Sequence, residues 1–173
     1  MNRILILTEA GSKIGFGHLT RCSAIKNYLE DNSFKVDLIV NNKGGLIPNL
    51  DCENIDWINI KPVFFVDKYK IIIIDSYLVT ESWLLRLKNK HTIIVHIDDY
   101  NRIVYPVDLI VNPNVFLESL DYSNQTTKYI GGPDYLILRK PFRLKNEKSI
   151  YDGKPRLLIT LGGSDYRNLL PKL

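Results

Sequence analysis

Residues 3–21 read Arg3-Ile-Leu-Ile-Leu-Thr-Glu-Ala-Gly-Ser-Lys-Ile-Gly-Phe-Gly-His-Leu-Thr-Arg21, and the hydrophobic pattern changes inside them. Residues 4–7 are continuously apolar, which suits a first buried strand of a parallel sheet. Farther on, Leu19, Cys22, Ile25 and Leu29 recur at steps of three and four, so they line one face of a helix over residues 19–29. Residues 9–18 are left as the connecting loop. There Gly15 and Gly17 allow positive φ and close approach of the backbone to a ligand, while the unpaired amides of a helix start favour negative charge. The loop is therefore shaped for an anion. His18 stands at its boundary, where an imidazole titrating near neutrality can exchange a proton with whatever the loop holds.

A Gly-x-Gly pair alone is a common turn, and a histidine at a helix start is commonly a solvated cap. Here strand, glycine loop and titratable residue stand together at the carboxyl end of a first strand, where open α/β folds place ligands. The dinucleotide spacing Gly-x-Gly-x-x-Gly fails near Arg21, and no Gly-Lys-Ser/Thr follows to make a Walker loop.

The 173 residues are 45% hydrophobic and 24% charged, the profile of an ordinary globular chain with one good core. The net charge of +4 is scattered, with no basic block, which argues against nucleic acid and suits a small anionic substrate. Cys22 and Cys52 form no Cys-x-x-Cys pair and read as buried free thiols of a reducing compartment. The amino terminus is too short in apolar residues for a signal peptide, and no run approaches a membrane span. The expectation is a soluble, cytoplasmic protein.

Residues 31–33 break the first helix, 35–40 make a second strand, 41–45 a loop, 46–50 a short helix and 57–60 a short third strand. Ile71, Ile72, Ile73 and Ile74 are too β-branched and apolar for an exposed element, so a fourth strand lies centrally and ends in Asp75-Ser76-Tyr77. Thr80 is a plausible N-cap for a helix carrying Trp83, Leu84 and Leu87. A fifth strand, 92–97, delivers Asp98-Asp99-Tyr100, and a sixth, 107–111, delivers Asn112-Pro113-Asn114. Three successive strands thus finish in polar clusters, as a cleft along one sheet edge requires. Residues 118–127 read as loop, 128–130 as a last edge strand, 131–134 as a turn and 145–155 as a linker. A fresh apolar strand over 156–161 and the turn Gly162-Gly163-Ser164-Asp165 then repeat the opening grammar. The division expected is a Rossmann-like domain over 1–144, the linker, and over 156–173 the first strand and turn of a second domain. The alternative is that this strand joins the first domain's own sheet.

Six stretches occur in order: Ile14-Gly-Phe-Gly-His-Leu-Thr-Arg21, Asp75-Ser76-Tyr77, Asp98-Asp99, Asn112-Pro113-Asn114, Gly132 with Tyr135-x-x-Leu138-Arg139, and Leu161-Gly-Gly-Ser-Asp165. In these the chain resembles the nucleotide-sugar hydrolases of pseudaminic acid biosynthesis and the spore-coat polysaccharide biosynthesis family. More distantly it is similar to the GT-B glycosyltransferases, including the enzyme that adds N-acetylglucosamine to make lipid II. The resemblance covers essentially the whole chain. It implies two Rossmann-like α/β domains, each a parallel sheet flanked by helices, facing across a cleft. The first supplies His18 and most sugar contacts; the second binds uridine diphosphate, its phosphates approached by Gly162, Gly163, Ser164 and Asp165.

On that pattern water displaces UDP from the anomeric carbon of a UDP-linked diacetamido-trideoxy sugar, with His18 as base and no cofactor or protein-bound metal. Gly15, Phe16, Gly17, Arg21, Asp75, Tyr77, Asp98, Asp99, Asn112 and Asn114 are the expected substrate contacts, and one of Asp75, Asp98 and Asp99 would orient His18. The rivals are a transferase using the same histidine on an acceptor hydroxyl and a noncatalytic sugar-binding module. The remainder of a carboxyl-terminal domain is expected as the functional partner, and without it the 173 residues are expected to be inactive.

Overall fold

A computed structural model describes residues 3–12, 14–42, 50–143, 153–155, 157–160 and 169–172. In chain order the elements are β1 Arg3–Ala10, α1 Gly17–Asp31, β2 Lys35–Asn42, β3 Glu53–Asn54, α2 Val63–Val66, β4 Ile71–Asp75, α3 Glu81–Leu87, β5 Ile93–Ile97, β6 Leu109–Asn112, β7 Tyr129–Gly131 and α4 Lys140–Arg143. Among the described residues the strands form one sheet in the order β3-β2-β1-β4-β5-β6-β7, every pair parallel. This is the α/β Rossmann-like arrangement.

Strand side chains alternate between faces, so a strand buried on both sides must be apolar at every position. The four isoleucines of β4 meet this demand. Ile72 and Ile74 join Leu5, Leu7, Ile94, Ile110, Trp57 and Trp83 on one face; Ile71 and Ile73 pack with Ile4, Ile6, Leu19 and Cys22 on the face that carries α1. Thr80 caps α3 as its sequence suggests, its Oγ1 accepting from the Trp83 amide at 3.2 Å.

Several elements differ from the sequence reading. Residues 57–60 are not a strand: Trp57–Asn59 is a 3-10 turn, and Trp57 is fully buried with its Nε1 donating to the Thr8 carbonyl at 2.7 Å. The place beside β2 is taken by Glu53–Asn54. Glu9 and Ala10 belong to β1, and Gly17 and His18 to α1, so the opening loop is shorter than expected. Residues 157–160 take no strand conformation and do not enter the sheet. Leu157 and Leu158 are exposed. The helix expected over 46–50 and the turn Gly162, Gly163, Ser164 and Asp165 lie outside the described residues, except for Leu50.

At the far edge, a Cβ on Gly131 would stand 2.0 Å from the Asn112 carbonyl oxygen, a backbone atom that cannot step aside. Gly131→Ala is expected to cost about 1–3 kcal/mol or more through forced separation of β6 and β7, read as a drop in urea midpoint at unchanged m-value.

Burial also fixes a pH dependence. His96 on β5 is 1% exposed, its ring stacked on Tyr105 at 4.3 Å, and its Nδ1 has no partner among the described residues. Burial pushes its pKa down to about 4. As pH falls below 6.5 the unfolded chain takes up this proton first, so stability is full above 6.5 and drains away toward 4. The loss between pH 7 and pH 5 is expected to be about 2 kcal/mol. In His96→Phe that component should vanish from the difference between urea curves at the two values.

Candidate active site

The order of connections reverses between β1 and β4, the place where an open α/β sheet leaves a crevice at its carboxyl edge. Three elements meet there: the start of α1, the end of β4 and the turn after β5. Gly15, at φ +81°, turns the chain into α1. Gly11 and Gly15 clasp the loop, the Gly15 amide donating to Gly11 O at 2.7 Å and the Gly11 amide to Gly15 O at 3.2 Å. The Gly15 amide is thereby spent inside the loop. The free donors lie one step later: the helical ladder begins with Thr20 N to Phe16 O, so the amides of Gly17, His18 and Leu19 have no acceptor within α1. Phe16 offers no side-chain cap, the first turn holds no acid, and added Cβ atoms at Gly15 and Gly17 would meet nothing within 4 Å. This helix end is positive, uncompensated and open.

His18 and Arg21 are one helical turn apart and point to the same side. His18 Nδ1 is 2.7 Å from Asp75 Oδ1. Arg21 grips Asp75 with two prongs, Nη2 to Oδ1 at 2.6 Å and Nε to Oδ2 at 2.8 Å. It grips Asp99 with Nη1 to Oδ1 at 2.8 Å and Nη2 to Oδ2 at 3.1 Å. The Tyr77 hydroxyl donates to Asp99 Oδ2 at 2.6 Å, and the Tyr77 ring meets the His18 ring edge-on at 4.5 Å and 90°. The five side chains close into a circuit.

Asp75 is 0% exposed, and burial works against its charge, but His18 and Arg21 more than offset that and hold its pKa below the usual range. An ionised carboxylate only accepts, so His18 Nδ1 carries the proton and Nε2 the lone pair. The Arg21 Nη2 approach to Nδ1 at 3.3 Å is then proximity between two donors. Nε2 bonds to no described residue. Burial of His18 lowers its basicity, yet the Asp75 hydrogen bond and charge prevail and raise its pKa above the ordinary 6.5. Asp99, opposed by burial but paired with Arg21 and Tyr77, falls to about 2. The arrangement can hold a fixed imidazole as proton acceptor while its conjugate acid is stabilised.

The other sequence candidates divide. Asn114 joins the cluster's rim, its Nδ2 donating to the Asp99 carbonyl at 3.0 Å. Asn112 is fully buried, bound to Asn114 and to the Tyr122 hydroxyl. Asp98 is turned into the core, where its carboxylate accepts from Tyr105 Oη, Tyr122 Oη and the Asn101 amide. It touches neither His18 nor Arg21, so Asp75 is the aspartate that orients the imidazole. Glu9 was not singled out by sequence; it is fully buried and takes the Tyr77 amide at 2.6 Å, fixing the turn that carries Tyr77. Its signal was available: a lone acid ending an apolar strand, as Asp75 does.

A cleft of about 590 Å³ opens at the start of α1, lined by Phe16, Gly17, Thr20, Arg21, Leu138 and Arg139 among others. A larger cavity of about 740 Å³ lies at the opposite end, against Arg3 and Lys35. Those residues begin β1 and β2, whereas open α/β sheets place their ligands at the carboxyl ends of the strands. Among the described residues no helix is long and apolar enough to cross a membrane.

No protein-family model matches the chain. It is 25% identical over 202 residues to an uncharacterized protein of Methanocaldococcus jannaschii, covering 99% of this chain and 39% of that protein. It is 25% identical over 177 residues to the UDP-2,4-diacetamido-2,4,6-trideoxy-beta-L-altropyranose hydrolase of Campylobacter jejuni, covering 96% of this chain and 62% of the enzyme. The chain therefore spans less than two thirds of the length of either relative. The second match makes it a distant relative of a UDP-sugar hydrolase.

Proposed function

We propose that this chain is the histidine-bearing portion of a nucleotide-sugar hydrolase that releases UDP from a UDP-linked diacetamido-trideoxy sugar. The observation that carries the reading is the 2.7 Å bond from His18 Nδ1 to a buried, ionised Asp75 at the sheet's switch point, which leaves Nε2 free as a base. The distant likeness to the hydrolase supplies the substrate class.

In the proposed reaction, water attacks the anomeric carbon. Its oxygen forms the new C–O bond as the bond from the anomeric carbon to the phosphate oxygen breaks, UDP leaving with the electron pair. His18 Nε2 takes the water proton, and Asp75 steadies the resulting imidazolium. Charge growing on the leaving phosphate is met by the Gly17 and His18 amides and by the positive end of α1. Arg21 is a positioning residue, since four of its five N–H donors are committed to Asp75 and Asp99. A second Rossmann-like domain, in the GT-B manner, holds the nucleotide, and Gly162 to Asp165 opens it. The setting is biosynthesis of a surface polysaccharide or nonulosonic acid in the cytoplasm.

The full-length protein, given the UDP-sugar and water alone, should release free sugar and UDP in equal amounts. Release that requires an added acceptor hydroxyl would make it a transferase, and no release under either condition would leave a sugar-binding module.

A further inference from the structure

We infer that Tyr100 is a substrate-contacting residue that lays its ring against the methyl-bearing groups of the sugar and so decides which sugar nucleotides are accepted; this rests on the substrate class proposed above. Three aromatic rings step outward from the base. His18 meets Tyr77 at 4.5 Å, and Tyr77 meets Tyr100 at 5.3 Å and 60°. The two tyrosines differ in what they have left to offer. Tyr77 has given its hydroxyl to Asp99, whereas the Tyr100 hydroxyl bonds to no described residue and its side chain is 47% exposed.

An exposed tyrosine in a loose loop would mean little. The backbone around Tyr100 is held on both sides. Before it, Asp99 is clamped by Arg21 and Tyr77, and its carbonyl accepts from Asn114 Nδ2 at 3.0 Å. After it, Asn101 sits at φ 56°, a left-handed conformation uncommon outside glycine. Its amide donates to Asp98 Oδ2 at 2.7 Å. Its side chain donates to Asn124 Oδ1 at 2.8 Å and to the Asp121 carbonyl, and accepts from Gln125 Nε2 at 2.6 Å. The chain on both sides of Tyr100 is thus tied down by hydrogen bonds, and its ring stands against Tyr77, one ring beyond His18. A ring carried on a backbone held in advance has only its own side-chain freedom to lose when a ligand covers it, so more of the buried apolar area appears as affinity.

The position selects the occupant. His18 must stand at the anomeric carbon, and Tyr100 is only one ring farther out, so the sugar lies across it. The uracil is separated from that carbon by a diphosphate and a ribose. A sugar with acetamido and deoxy methyls has apolar surface to bury against such a ring; a hexose bearing only hydroxyls has little.

The test measures dissociation constants in full-length His18→Ala protein, so that nothing turns over, with and without Tyr100→Ala. The probes are UDP-2,4-diacetamido-2,4,6-trideoxy-β-L-altropyranose, UDP-galactose and UDP. Tyr100→Ala should weaken the first about tenfold or more and leave the other two unchanged within error, while Tyr100→Phe keeps the preference. An unchanged urea midpoint shows that the exposed site tolerates the substitution. Equal weakening of all three probes would make the ring a nucleobase platform and overturn the inference, as would no weakening of the first or no binding of it with Tyr100 intact. The hydrolase reading fails separately: if the His18 protein releases no sugar while Tyr100 still discriminates between the bound probes, the platform stands and the reaction does not.

Discussion

Replacing His18 with alanine is expected to lower turnover of the UDP-sugar by about 100- to 10,000-fold, the usual worth of a positioned general base. Binding should be largely kept. The imidazole is 8% exposed and its Nδ1 is bound to Asp75, so the only chemistry it offers a ligand is the lone pair on Nε2. Removing it leaves the amides at the start of α1 where they were. The pH profile gives a second reading. The base must be neutral to work, and its pKa is raised above 6.5, so kcat/KM should fall as the pH drops through a value on the alkaline side of 6.5. In Asp75→Asn that limb should move down in pH. Steady-state rates with the variant, beside its affinity for the intact sugar nucleotide, check the first point. A variant that keeps the parental rate would remove His18 from the mechanism.

Arg21→Met should produce the largest loss of stability from one side chain in the cluster, about 3–5 kcal/mol, because it strands two carboxylates rather than breaking one contact. Asp75 is 1% exposed in its side chain and Asp99 19%, and the guanidinium is the cation that bridges them with four hydrogen bonds. Lysine would be a partial remedy, since a point charge cannot fork onto two carboxylates at once. The penalty depends on pH. Asp75 and Asp99 are both held below their ordinary 3.8, so the stabilisation from Arg21 is complete above that value and is lost as pH falls toward 2. The gap between parent and variant in urea midpoint should therefore be widest near neutrality and close in acid. A gap that stays constant with pH would mean that the loss comes from packing of the arginine stem.

Much of this architecture could be read from side-chain pattern, and the exceptions share a cause. Four consecutive isoleucines announced a strand buried on both faces, and the spacing of Leu19, Cys22, Ile25 and Leu29 announced α1. Trp57 misled because an apolar run can serve as a plug as well as a strand. The pairing it should have made was taken by Glu53 and Asn54, whose two backbone rungs need no hydrophobic signature. Asp98 and Asp99 could not be told apart by composition, but strand parity separates them. Ile94, His96 and Asp98 fall on the face of the two tryptophans, while Asp99 falls with Ile71, Ile73 and Asp75 on the face of α1. Counted in twos, the sequence could have sent Asp98 inward and Asp99 to the histidine. Glu9 was lost by beginning the loop two residues early. The clasp between Gly11 and Gly15 is a backbone event that no side chain foretells.

The circuit of charges is drawn from distant parts of the chain: 57 residues separate His18 from Asp75, and 78 separate Arg21 from Asp99. The first link requires β4 to pair with β1 and the second requires β5 to pair with β4, with the entropy of closing long loops already spent. Chemistry here is consequently a late property of folding. A chain that has joined only its first two strands owns the imidazole but has nothing to aim it; Asp75 comes with β4, and Asp99 only when β5 pairs beyond it.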